Sequence, residues 1–177
     1  MQKKSLFHMI LAAMLLVLAL VLPIVTGNIP QIGNMLCPMH IPVILCGFFC
    51  GPWFGLVIGA AAPILRFLTF GAPILMPSGI AMSVELAAYG CLSGLFYRIF
   101  PKKKAFIYLS LGLAMLSGRF LWGAVRAILY GLGKSEFGFS AFIAGAFTNA
   151  IPGILLQILL IPILVMTLRK AFPDLIE

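Results

Sequence analysis

The apolar run GRFLWGAVRAILYG, residues 118–131, carries two arginines, Arg119 and Arg126. A guanidinium stays charged at any accessible pH, and at the centre of a bilayer it costs at least ~2.5–3.5 kcal/mol. Seven residues apart, the two lie on nearly one face of a helix. Trp122 shares that face, at offsets of three and four residues from them. Arginine grips a carboxylate or phosphate through two parallel hydrogen bonds. The chemistry on offer is therefore recognition of an anion against an aromatic floor. Arg66 stands in another apolar run, where Glu85 is the one acidic residue in such surroundings. Three cations against one carboxylate leave a local excess of two positive charges, which invites an anionic ligand. A structural alternative pairs Glu85 with one arginine to fix helix register; it accounts for one cation of the three. His40, Asn149 and Tyr89 complete the candidate binding set of Arg126, Arg119, Trp122, Glu85, Arg66, Asn149, His40 and Tyr89. Tyr130 reads equally well as an interfacial tyrosine.

Other chemistries find little support. No Ser/His/Asp set presents itself for catalysis. Cys37-Pro-Met-His40 has no second ligand pair with which to hold a metal. No G-x-x-x-x-G-K-[S/T] phosphate loop occurs, and no cofactor is expected. Cys46 and Cys50 share a helix face and read as small packing residues.

The elements that must position these residues follow from composition. The chain has 177 residues, 63% hydrophobic and 9% charged, with a mean hydropathy of +1.17. Soluble domains run near ~25% charged, so this is an all-α integral membrane protein forming a single domain over 1–177. No stretch alternates like an outer-membrane barrel strand. The net charge of +8 belongs to span ends rather than to a nucleic-acid surface. Lys3 and Lys4 precede the first apolar run, Arg98 and Lys102 to Lys104 form one cluster, and Arg169 and Lys170 follow the last run.

Six spans are expected, at 7–25, 39–50, 52–70, 78–100, 105–131 and 141–168. A cleaved signal peptide would share the basic start and leucine-rich core of the first, but LPIVTGNIPQ holds no small-x-small site. Residues 39–70 are long for one span and short for two, and Gly51-Pro52 divides them. Reading them as a hairpin places every basic cluster, with both termini, on the cytoplasmic side. On that topology the ionisable residues crowd into the outer half, with Arg119 near mid-depth and Gln157 left in the inner half. That skew predicts one polar pocket open to the outside. Small residues at Ala141, Gly145, Asn149 and Gly153, at Gly55 and Gly59, and at Gly90 and Gly94 predict close helix packing.

Residues 35–66, MLCPMHIPVILCGFFCGPWFGLVIGAAAPILR, resemble the His-Ile-Pro-Val second helix and Gly-Pro hairpin of the substrate-binding S components of energy-coupling factor (ECF) vitamin transporters. The likeness continues through ELAAYGCLSGLFYR and FTNAIPGILLQ. It implies a bacterial cytoplasmic membrane, a transmembrane coupling subunit, two cytoplasmic ATPases that supply the energy, and a toppling motion that releases vitamin inside. The family's first helix carries a small-x-x-x-small docking motif. Here Ala12 and Ala13 are followed four residues later by Leu16 and Val17, so the docking surface differs. The excess of arginine favours an acid over cationic thiamine. The chain is most similar to the branch with pantothenate and riboflavin carriers, and pantothenate, a small monoanion, is the expected ligand. Vitamin B6, riboflavin or another vitamin is the alternative within the family. A membrane scaffold without a ligand is the alternative outside it.

Overall fold

The computed structural model describes residues 2–25, 36–101, 103–132, 138–146 and 148–171. Helices α1 (Gln2–Val25), α2 (His40–Cys50), α3 (Pro52–Phe70), α4 (Ile80–Ile99), α5 (Lys104–Leu132), α6 (Phe139–Ala146) and α7 (Ile151–Ala171) follow in chain order, with no strand among the described residues. Five stretches are long and apolar enough to cross a membrane: Ser5–Ile24, Pro52–Phe70, Leu75–Ile99, Lys104–Gly131 and Ile151–Ala171. Large apolar side chains point outward along them, including Leu6, Met14, Val57, Leu68, Leu116, Ile128 and Leu159. A bilayer is the solvent that accepts such a surface.

The centre of the fold is α2. It is short for a span, and every residue from His40 to Cys50 is buried. A helix apolar all round belongs inside other helices rather than against solvent, and α1, α3, α4 and α7 pack around this one. It ends at Gly51, whose φ of +97° suits glycine, and Pro52 opens α3 at a position where its missing N–H costs nothing. The reversal expected at Gly51-Pro52 is thus a hairpin of one short buried helix and one full span. Its tip lies beside Arg98 at the end of α4, whose guanidinium crosses the Gly51 backbone.

Small residues set how closely the central helices approach. A Cβ at Gly55 would run into the backbone of Gly90, one at Gly90 into that of Gly55, and one at Gly59 into that of Leu86. Ser93 donates to the Ile44 carbonyl of α2 at 3.3 Å.

The last expected span is divided. Where the sequence reads one helix over 141–168, the chain forms α6, a 3₁₀ turn at Thr148–Ala150, and α7. Pro152 has no N–H with which to continue a helical ladder from residue 148, so a helix begins afresh there. The small residues at 141, 145, 149 and 153 consequently do not share one helix face. Gly145 of α6 abuts the Trp122 ring, and Gly153 of α7 turns into the core.

Candidate functional site

Glu85 lies on the inward face of α4, 2% exposed, between α2 and α5. Its Oε1 is 3.1 Å from Nη1 of Arg119 and 3.7 Å from Nε2 of His40. His40 starts α2, and its ring lies 5.2 Å from that of Tyr89, one turn along α4 from Glu85. Gly118 makes room for the tyrosine, because a Cβ there would strike the Tyr89 ring. Four expected residues, Glu85, Arg119, His40 and Tyr89, therefore form one buried cluster. Its charges are compensated: a carboxylate and a guanidinium removed from water hold each other.

Cys37 joins the cluster from the turn before α2. Its Sγ accepts from Arg119 Nη2 at 3.8 Å, and its φ of +48° is uncommon for a side-chain-bearing residue. The sequence marked Cys37-Pro-Met-His40 as a weak metal motif. Among the described residues no group of three or more His, Cys, Asp and Glu side chains could hold a metal ion. The turn serves Arg119 and Glu85 instead.

Further along α5, Arg126 is half-buried with its guanidinium 4.9 Å from the Trp122 ring and 5.2 Å from that of Tyr130. It donates to the Tyr130 hydroxyl at 2.8 Å. The three residues stand four apart, so one helix face stacks Trp122, Arg126 and Tyr130 in a column. Cation–π contact holds the guanidinium against those rings. Trp122 is itself buried against Ala81 of α4 and Phe142 of α6. Tyr130 thus has a defined partner, which its reading as an interfacial residue does not anticipate.

The structure does not bring Arg66 to this site. Its Nη1 donates to the Leu20 carbonyl of α1 at 2.7 Å, and its guanidinium lies 5.3 Å from the Phe70 ring. Pro23 gives no N–H to the Ala19 carbonyl, and the next carbonyl along α1 is the one Arg66 takes. Asn149 lies in the 3₁₀ turn, and its side chain falls outside the described residues.

Gln157, on α7, is fully buried, and neither its Oε1 nor its Nε2 meets a hydrogen-bond partner among the described residues. It lies within the second turn of α7, which begins at Ile151.

Apolar spans around a buried Glu–Arg–His cluster, with a second arginine beside aromatic rings, define a multi-pass membrane protein. The family model for the substrate-specific component of ECF transporters matches residues 7–165, and the chain belongs to that family. Members take up vitamin-type substrates in association with an ECF module of transmembrane and ATPase subunits, and they are binding modules rather than enzymes. No curated protein and no solved structure matches the chain.

Proposed function

We propose that this S component binds a small anionic vitamin or vitamin precursor, with pantothenate the favoured ligand, and delivers it across a bacterial cytoplasmic membrane. The observation that carries the reading is the column on α5. Arg126 is half-buried, held against the Trp122 and Tyr130 rings, and set beyond the compensated Glu85–Arg119 pair. A guanidinium held in this way offers a carboxylate its paired donors with little ordering left to do on binding. Arg119 and Glu85 form the floor, with His40 and Tyr89 beside them. Arg66 braces α1 against α3. The energy for transport comes from the two ATPases and the coupling subunit.

The test is the melting temperature of the purified protein against a panel of pantothenate, pyridoxine, riboflavin, biotin and thiamine. A ligand bound by the folded state alone raises it, by ~2.7 kcal/mol of stabilisation at a hundred times Kd. Pantothenate is expected to raise it and thiamine to leave it unchanged. Stabilisation by thiamine alone would overturn the anionic reading, and no stabilisation by any vitamin would favour the scaffold reading.

A further inference from the structure

Gln157 is the buried polar group that this reading leaves unused. It lies on the inward stripe of α7 with Gly153, Ile161 and Val165, and α7 packs on α2 and α5. A primary amide offers two donors and an acceptor with two lone pairs. Leaving such a group buried without partners costs about 1–3 kcal/mol, more than a leucine at the same place. The remainder of the buried stripe is apolar or glycine, so the amide contributes nothing evident to packing.

Its depth relates it to the site. Gly51 meets Arg98 at one end of the bundle, and the positive-inside rule groups Lys104 and Arg169 at that same end as a base. At 1.5 Å per residue, His40 stands ~16 Å above Gly51, Gln157 ~18 Å above Arg169, Glu85 ~20 Å above Arg98 and Arg119 ~22 Å above Lys104. The 3.1 Å Glu85–Arg119 contact agrees with that ladder. Gln157 thus falls in the layer of the charged cluster. The same layer holds the Nδ1 of His40, which is also buried and without a hydrogen-bond partner among the described residues.

We propose that Gln157 is a ligand-binding residue contributed by α7. Its amide hydrogen-bonds a neutral polar group, an amide or hydroxyl, at the far end of the molecule whose acid group Arg126 holds, because on the same ladder Arg126 stands ~33 Å above Lys104 and so ~15 Å beyond Gln157. The substrate class is narrowed accordingly to an acid that bears an amide or hydroxyl on its body. The inference rests on the anion-binding reading of the site and is tested separately from it.

Two measurements test it. In the first, Gln157→Leu and Arg126→Ala are titrated calorimetrically with whichever panel vitamin stabilises the parent, alongside ligand-free melting curves. Gln157→Leu is expected to weaken binding roughly tenfold, with a ligand-free melting temperature equal to or above the parent's. Unchanged affinity overturns the proposal, and if Arg126→Ala binds weakly in the same series the anion reading stands without Gln157. A lowered melting temperature with unchanged affinity assigns the amide to a structural water and equally overturns it. The second measurement needs no vitamin. Gln157→Cys in right-side-out membrane vesicles is treated with a membrane-impermeant methanethiosulfonate bearing a sulfonate, and modification is compared by mass with the parent chain. Modification at position 157 beyond the parent's background is expected. A thiol that stays unmodified there places position 157 in a sealed core and overturns the proposal even if no panel vitamin binds.

Discussion

At the scale of single residues, the three intramembrane arginines have different surroundings and so different expected variants. Arg119 is 5% exposed and held by Glu85 and Cys37. Removing one partner of a buried pair leaves the other charge uncompensated, at a cost of about 3–5 kcal/mol. Arg119→Ala is therefore expected to lower the ligand-free melting temperature as well as affinity. Arg126 rests on rings at a half-buried position. Arg126→Ala is expected to keep the fold and to weaken vitamin binding roughly ten- to a hundredfold, since 1.4 kcal/mol is a factor of ten and a charge-assisted bond contributes ~1.5–3 kcal/mol. Arg66 acts on the α1 backbone. Arg66→Met is expected to cost stability while leaving affinity within about threefold, because its guanidinium meets Leu20 and Phe70 rather than the cluster. Titration and melting curves on the three variants separate these roles; equal loss of affinity in all three would contradict them. Residue type alone marked all three as anomalous. It could not separate them, because Glu85 and the Leu20 carbonyl, which take Arg119 and Arg66, arrive from other helices.

At the scale of elements, helix contacts depend on what is missing from glycine. Gly55 and Gly90 face each other across α3 and α4 with no room for a Cβ on either. Gly90→Leu is expected to force these helices apart, at a cost of about 3 kcal/mol or more, and to abolish the cooperative melt. Gly112 has open space around its Cβ position, so Gly112→Ala on α5 is expected to be neutral or slightly stabilising. Circular dichroism melts on the two variants check the contrast. The Gly-x-x-x-Gly spacing and the Gly51-Pro52 reversal were legible beforehand, because glycine and proline act through local backbone geometry. The division of 141–168 at Pro152 was not, since apolar content stays uniform across it and proline can also sit inside an unbroken helix, as Pro63 does in α3.

At the scale of the whole molecule, the basic residues gather at Arg98, Lys103 and Lys104 and at Arg169 and Lys170, and Arg98 meets the α2–α3 hairpin tip. By the positive-inside rule that end is expected to face the cytoplasm. Lys103→Cys is accordingly expected to react with an impermeant maleimide in inside-out vesicles and to be protected in intact cells; labelling from outside would invert the topology. As an S component without a nucleotide-binding loop in its sequence, the chain is expected to bind vitamin in liposomes and to accumulate none until the coupling subunit and ATPases are added with ATP.

The sequence by itself determined that this is a helical membrane protein, which residues are out of place in it, and which family it resembles. Those properties follow from composition, from the cost of charge in hydrocarbon and from short motifs, all of which are local. Tertiary structure decided the rest: that α2 is wholly buried, that Glu85 takes Arg119 and not Arg66, that Cys37 is an acceptor, and that Gln157 is buried without a hydrogen-bond partner among the described residues. A partner's identity is set by where separate helices cross. Those crossings depend on the closest approach of glycines far apart in the chain, and a one-dimensional pattern carries no such distance.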